Sequence, residues 1–211
     1  MTSFARGERE RLADLLAAAG PEAPTLCVGW TTRDLAAHLV LRERRLDAAA
    51  GIRIGPLAGW TARVQERYRA RPYEELLRLV RTGPGFSPFA LPGVDEAANL
   101  VEYYVHAEDV RRAGPGWKPE PVAPSMAELL WKRLPMLVRL EAGRRLPVLL
   151  VLRRPDGRSV AVGRQGGPAV EVRGEPGELV LYAFGRGERA AVEVAGEREA
   201  MEALRVVLPF G

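Results

Sequence analysis

The two histidines of this 211-residue chain, His38 and His106, both lie where a metal ligand would lie. His106 follows Glu102 by four residues. On a helix this spacing places both side chains on one face, with their Cβ atoms about 5–6 Å apart. Two imidazoles and a carboxylate form the His₂Glu set that holds zinc in catalytic sites, where the fourth position is left to water or substrate. The sequence therefore predicts a divalent-metal site formed by His38, Glu102 and His106.

Apolar neighbours favour metal binding over a surface ion pair. Val101, Val105 and Val110 flank the pair Glu102 and His106, and a carboxylate on such an apolar helix face is costly unless it is paired or bound to metal. His38 likewise lies among leucines. A satisfied core histidine is the alternative for each residue taken singly, whereas the three residues together favour a metal site.

Asp109, one turn after His106, has two alternative interpretations. It could accept a hydrogen bond from the imidazole N–H of His106 and so orient the ligand. It could instead form an ion pair with Arg112, three residues further along the helix. Both interpretations stay open on the sequence alone.

The remaining reactive and aromatic residues are interpreted as structural residues without a role in chemistry. Cys27 is interpreted as inert rather than as a nucleophile or a thiolate ligand, because no histidine is free to activate it if both bind metal. The four tryptophans are interpreted as packing residues. The glycine-rich loops lack the Lys-Ser/Thr ending of a phosphate-binding loop.

Hydrophobic periodicity predicts the elements that position these residues. Helices are expected at 3–19, 31–50, 60–81 with a break at 71–72, 94–113, and 125–142 with a kink at Pro135. After residue 143 the pattern changes to short strands at 147–152, 159–162, 169–172 and 190–194, with helices at 177–184 and 197–208. We therefore expect an α+β chain with a helical domain at 1–143 and a small α+β domain at 144–211. The metal site should lie between the second and fourth helices.

Composition restricts the possible partners. The net charge is +4, but arginines alternate with glutamates along the chain and no zinc-finger spacing occurs, so we expect no nucleic-acid partner. No run of eighteen apolar residues exists, and we expect no membrane partner. A single cysteine and the absence of an N-terminal apolar signal segment indicate a cytoplasmic location.

Two motifs resemble a known family. Trp30-Thr-Thr-Arg-Asp-Leu-Ala-Ala-His38-Leu, followed by Glu102-x-x-x-His106-x-x-Asp109, resembles the mycothiol-dependent maleylpyruvate isomerase family of actinobacterial type. That family lies in the larger superfamily of DinB-like, metal-binding four-helix bundles. The segment 174–186, Gly-Glu-Pro-Gly-Glu-Leu-Val-Leu-Tyr-Ala-Phe-Gly-Arg, resembles the sterol-carrier-protein-like domain found at the C-terminus of its members.

The resemblance implies a DinB-like bundle that binds a zinc ion through His38, Glu102 and His106. It also implies mycothiol or a similar low-molecular-weight thiol as a cofactor. The expected function is a thiol-dependent transferase or isomerase acting on small electrophilic substrates, as a monomer or homodimer. The alternative is a non-catalytic metal-binding protein with a role in stress or ligand sensing. No catalytic or thiol-binding residue can be assigned, and Arg63, Arg67 and Arg69 are only candidates for binding a substrate carboxylate.

Overall fold

The structure, a computed structural model of the chain, describes residues 3–52, 54–85, 93–142 and 146–208. The chain separates into two compact units, residues 1–117 (unit 1) and 118–211 (unit 2). Unit 1 is helical where it is described, and unit 2 combines helices with a four-stranded sheet. The chain is therefore an α+β protein, as the sequence predicted.

The described part of unit 1 contains the two helices that carry the predicted metal ligands, α2 and α6. Its α-helices are α1 (Phe4–Ala19), α2 (Thr32–Arg44), α3 (Leu46–Ala49), α4 (Ala58–Arg69), α5 (Tyr73–Thr82) and α6 (Val94–Arg111). Two single turns of 3₁₀-helix, Ala50–Ile52 and Gly55–Leu57, lie between α3 and α4. The break that the sequence predicts at 71–72 is confirmed, because α4 ends at Arg69 and α5 begins after Pro72.

Helix α2 begins at a capping box and ends earlier than expected. The backbone N–H of Thr31 donates to the Asp34 carboxylate at 2.9 Å, and the backbone N–H of Asp34 donates to the Thr31 hydroxyl at 3.4 Å. The sequence predicts a helix to about residue 50, but Arg45 leaves the helical region with φ −130° and ψ 71°. The predicted C-terminal end of α2 was therefore wrong. The helix breaks at Arg45, where the sequence has neither the glycine nor the proline that would signal a helix end.

Leucines at helical spacing form the core of unit 1. Leu12 and Leu16 of α1, Leu35 and Leu39 of α2, and Leu100 of α6 are all buried. α1 packs along α6, and α2 packs against α4 and α5. Each buried leucine contributes roughly 1.5–3 kcal/mol. Because Leu35 and Leu39 both point into the core, they fix the rotation of α2 and hence the direction of His38.

Unit 2 contains a mixed sheet, three α-helices and one turn of 3₁₀-helix, Gly187–Arg189, in its described residues. Its elements are α7 (Pro124–Ala142), β1 (Leu149–Arg153), β2 (Ser159–Gly163), β3 (Ala169–Arg173), α8 (Pro176–Ala183), β4 (Glu193–Gly196) and α9 (Arg198–Val207). The strand order is β2-β1-β3-β4. β1 is antiparallel to β2 and parallel to β3, and β4 is antiparallel to β3. The four strands and two helices that the sequence predicts after residue 143 are therefore confirmed, with ends shifted by a few residues.

The two compact units divide at residue 117, ahead of α7, because α7 packs against α8 within unit 2. The domain boundary at residue 143 stays a prediction. α7 continues as a helix through Pro135. Most of the predicted loop at 82–93 lies outside the described residues. In the part of the chain that the structure describes, no helix combines the length and hydrophobicity that a membrane crossing requires.

Candidate metal centre

Helices α2 and α6 bring the three predicted ligands together. The Nε2 atom of His38 lies 3.6 Å from Oε1 of Glu102, and the Nε2 atom of His106 lies 3.3 Å from the same oxygen. One donor atom from each residue can be chosen such that all lie within 4.8 Å of one another. We call His38, Glu102 and His106 the histidine cluster. Two imidazole nitrogens and a carboxylate oxygen at this spacing fit a divalent metal such as zinc.

The histidine cluster is largely withdrawn from solvent. His38 is 7% exposed and His106 is 8% exposed, while the Glu102 side chain retains 20% exposure. The two imidazole rings meet edge to face with their centroids 5.6 Å apart, and the Trp30 ring lies 5.0 Å from that of His38. A tryptophan interpreted from sequence as a packing residue thus contacts a candidate ligand.

Asp109 lies within hydrogen-bonding distance of His106, as the first of the two interpretations left open by the sequence expects. Its Oδ2 atom lies 2.9 Å from Nδ1 of His106, and Asp109 is fully buried. Arg112 donates to Glu108. When Nδ1 of His106 donates its proton to Asp109, Nε2 faces Glu102, and a metal ion that replaced the Nε2 proton would lie between the two residues. This is the arrangement found in carboxylate–histidine–metal triads.

The protonation states of the cluster are strongly coupled. Burial lowers the pKa of His38. Burial would also lower the pKa of His106, but hydrogen bonds to Asp109, Cys27 and Glu102 raise it well above its usual value. Burial would raise the pKa of Glu102, yet hydrogen bonds from both histidines and the charge of Arg42 hold it well below its usual range. The carboxylate is therefore ionised, as a metal ligand requires.

Arg42 is a neighbour of the site that sequence reasoning missed. Its Nε atom lies 3.4 Å from Oε1 of Glu102, and its guanidinium also donates to the side-chain oxygen of Asn99. Asn99 is fully buried and donates in turn to Asp95 at 2.7 Å. The available signal was the i,i+4 spacing between His38 and Arg42, which places both on one face of α2.

Cys27 also lies closer to the site than the sequence suggests. Its Sγ atom is 3.2 Å from Oδ2 of Asp109 and 3.9 Å from Nδ1 of His106. Cys27, His106 and Asp109 form a second group of potential metal ligands in the described residues. Because this group uses Nδ1 of His106, its site would lie on the other side of that ring from Glu102.

A pocket of about 560 Å³ opens beside His38. Trp30, Ile52 and Ala62 are among the apolar residues of its lining, and Asp34 and Arg69 are among the polar ones. Of the three arginines considered from sequence, Arg69 lines the pocket, whereas the guanidinium groups of Arg63 and Arg67 lie about 6 Å from the centroid of the Trp60 ring.

A second buried polar cluster lies next to the histidine cluster. Arg9 of α1 donates to the Tyr103 hydroxyl at 3.0 Å and to Asp95 at 2.8 Å, and the same hydroxyl donates to Glu43. We call Arg9, Glu43, Asp95 and Tyr103 the tyrosine cluster. Burial raises the pKa of Glu43 to about 7, although the Tyr103 hydrogen bond and the charges of Arg9 and Arg42 act to lower it.

Comparisons with known proteins place this chain in a family. The family model described as the mycothiol maleylpyruvate isomerase N-terminal domain matches residues 5–134. A search of curated proteins gave no match. Among solved structures, a histidine-to-alanine variant of the mycothiol-dependent maleylpyruvate isomerase is similar, with a TM-score of 0.60 and 18% sequence identity. The alignment covers 93% of this chain and 97% of that one, and at this identity it supports the fold alone.

Proposed function

The chain belongs to the mycothiol maleylpyruvate isomerase family, and from that membership we propose that it is a thiol-dependent isomerase that works with a divalent metal ion. Zinc is the expected ion, and His38, Glu102 and His106 are its proposed ligands. The observation that carries the proposal is the approach of both Nε2 atoms to one oxygen of Glu102, beside an open pocket.

Each residue around the proposed ligands has a role that its contacts support. Asp109 holds the Nδ1 proton of His106, and hydrogen bonds from both histidines together with the charge of Arg42 keep Glu102 ionised. His38 forms part of the pocket wall, so a small molecule in the pocket would lie next to the ligand set. When bound there, a divalent ion lowers the pKa of a coordinating thiol and so supplies a thiolate at neutral pH.

The partners of the reaction are a small thiol, for which mycothiol is our proposal, and a small electrophile. A thiolate that adds to one carbon of a double bond leaves a single bond, about which the substrate can rotate before the thiolate departs. A thiol transferase shares the addition step and differs only in keeping the new bond. We propose that the protein acts in the cytoplasm, because its one cysteine fits a reducing compartment.

Cys27 favours a second candidate, a non-catalytic metal-binding protein. Cys27, His106 and Asp109 offer a second three-ligand group on the Nδ1 side of His106, and a chain that held its metal there would bind it away from the pocket. The isomerase is the better supported function, because His38 of the histidine cluster lines a pocket that can hold a substrate.

Leaving out the thiol or the metal in turn tests the isomerase proposal. Purified full-length chain, supplemented with zinc, is incubated with a cis-unsaturated electrophile and a thiol, and the trans product is followed by NMR. We expect product formation that stops when either the thiol or the metal is left out. Product that forms equally well without metal would contradict the proposal, and metal retention without any thiol-dependent turnover would favour the binding protein.

A further inference from the structure

The chemical character of the pocket beside His38 differs from that of a site for acidic substrates. We propose that this pocket takes an uncharged, largely apolar electrophile and discriminates against dicarboxylates. This inference deepens the function proposed above and rests on it. It goes beyond the family, because the name of the matched enzyme refers to a substrate with carboxylate groups.

The arginine in the described lining of the pocket already pairs with two carboxylates. Arg69 is the one guanidinium among the described lining residues, and its Nε atom donates to Asp34 at 2.7 Å. A second nitrogen of Arg69 lies 3.5 Å from the carboxylate of Glu66, which also lines the pocket. Two carboxylates and one guanidinium leave this part of the lining with a net charge of −1. A ligand carboxylate would therefore meet a negative lining instead of a free arginine.

Asp34 is held in its ionised form by groups that a ligand does not displace easily. The backbone N–H and the hydroxyl of Thr31 donate to its carboxylate at 2.9 and 2.8 Å. These bonds also cap α2, so releasing Arg69 from Asp34 would not remove the negative charge. The electrostatic character of the pocket thus follows from how α2 begins.

The rest of the lining and its surroundings are apolar. Trp30, Ile52, Ala58 and Ala62 line the pocket. The described part of unit 1 exposes five large apolar side chains, all within residues 28–57, the stretch that contains Trp30 and Ile52: Val28, Leu46, Ile52, Ile54 and Leu57. Ile52 among them lines the pocket, and an exposed apolar side chain at a concave site is typical of a ligand-binding surface.

Glycine keeps this wall close to α4. Gly51 lines the pocket, and a Cβ atom at this position would clash with the Thr61 hydroxyl and the backbone of Leu57. The turn that presents Ile52 is therefore packed directly on α4. The apolar wall is a built part of the site, next to the His38 imidazole.

The first experiment measures binding without chemistry. Diethyl succinate and succinate have the same four-carbon backbone, one uncharged and one dianionic, and neither has a double bond with which a thiol could react. Their dissociation constants are measured by ligand-observed NMR on the full-length chain after removal of metal by a chelator, so that only the pocket discriminates. One excess negative charge at roughly 6–8 Å corresponds to a preference of about tenfold for the diester.

Two matched variants assign that preference to the pocket. Glu66→Lys changes the net charge of the lining from −1 to +1 and should reduce the preference by roughly tenfold or more. Glu10→Lys makes the same change on α1, where Glu10 pairs with Arg6 and does not line the pocket, and should leave the preference unchanged. Ile52→Asn should weaken diester binding by about fivefold with little effect on succinate. Succinate binding as tightly as the diester, or an equal effect of Glu10→Lys, would overturn the inference.

The second experiment separates this inference from the proposed function. Dimethyl maleate and maleate are supplied to metal-loaded protein with 2-mercaptoethanol. The thiolate forms a C–S bond to one alkene carbon as the π electrons move to the other, the new single bond rotates, and the C–S bond breaks to release thiolate and the trans alkene. Rates are divided by the protein-free rate with the same thiol. A larger acceleration for the diester supports the inference. A larger acceleration for maleate would overturn it and leave the isomerase intact, whereas diester binding without turnover of either compound would support the pocket assignment and count against the isomerase.

Discussion

Helices α2 and α6 carry two buried polar clusters side by side. His38 and Glu43 lie five residues apart on α2, and Glu102 and Tyr103 are adjacent on α6. In the tyrosine cluster, Arg9 from α1 supplies a cation that meets the Tyr103 hydroxyl and Asp95, and Glu43 accepts from that hydroxyl. In the histidine cluster, two imidazoles approach one carboxylate oxygen, and His38 borders a pocket.

The difference teaches how to tell a structural polar cluster from a functional one in this fold. Burial of charge alone does not distinguish them, because Glu43 is as buried as either histidine. What distinguishes them is the type of donor atom and what lies next to it. Two imidazoles and a carboxylate beside a cavity can exchange their protons for a metal ion, whereas a guanidinium, a hydroxyl and two carboxylates that pair among themselves stabilise the fold.

The strongest way to separate the clusters is to remove ligands from one and a hydroxyl from the other. A His38→Ala, His106→Ala double variant should lose metal binding, because two of the three proposed ligands are gone. Tyr103→Phe should retain it, since Tyr103 does not belong to the histidine cluster. Metal content per folded chain, measured by elemental analysis of untagged protein, checks both. Full metal retention in the double variant would show that the ligands lie elsewhere.

Removing the cation of the tyrosine cluster should affect stability instead of metal binding. Arg9→Leu leaves Asp95 and Glu43 without the guanidinium, and breaking a buried ion pair in this way costs about 3–5 kcal/mol. Denaturant unfolding measures the loss in the free energy of unfolding. A change in metal content as large as that in the histidine double variant would contradict the separation of the two clusters.

The pH dependence of stability should also report on the tyrosine cluster. Burial raises the pKa of Glu43 from its usual value of 4.5 to about 7 in the folded chain. Between these values the folded state holds a proton that the unfolded state releases, so this group makes the free energy of unfolding fall as pH rises from 4.5 to 7. The total decrease in the free energy of unfolding that this group causes is up to about 3 kcal/mol.

Glu43→Gln removes that contribution. The difference in the free energy of unfolding between the wild-type chain and Glu43→Gln should therefore change across this window and become constant above it. The subtraction cancels the titration of His38 and His106. A difference that stays flat from pH 4.5 to 8 would mean that Glu43 is ionised throughout and that burial does not raise its pKa.

The smallest expected effect concerns the residue that orients His106. Asp109→Asn should weaken metal binding by about 10- to 100-fold, as is typical when a carboxylate that accepts the N–H of a metal-bound histidine is replaced. Asp14→Asn is the control, because Asp14 forms an exposed ion pair with Arg81. Competition with a chromophoric chelator gives both affinities. Equal metal affinity in the two variants would mean that Asp109 does not orient His106 for metal binding.

The parts of the site within one helix could be predicted from sequence. The four-residue spacing placed Glu102 and His106 together, and the three-residue spacing brought Asp109 within reach of His106. Apolar periodicity also predicted most helices and all four strands. These features depend on local geometry, which the order of residues determines directly.

Contacts between distant segments could not be predicted in the same way. Cys27 meets Asp109 across 82 residues, and Arg9 meets Tyr103 across 94 residues. A helical pattern shows which face of a segment is polar but not which polar group will face it in the folded chain. For the same reason Cys27 was interpreted from the sequence as inert, and the tyrosine cluster was not predicted.

Cobalt(II) substitution tests the central claim most directly, because the ion's visible spectrum reports its ligands. The metal-depleted full-length chain is titrated with cobalt(II) and then with 2-mercaptoethanol. We expect one ion per chain with the intense visible bands of a low-coordinate site, and a saturable near-ultraviolet sulfur-to-cobalt charge-transfer band once the thiol is added. Both signals should be absent from the His38→Ala, His106→Ala variant. A wild-type chain that binds no cobalt, or a double variant with the same spectrum, would contradict the assignment of His38, Glu102 and His106 as ligands.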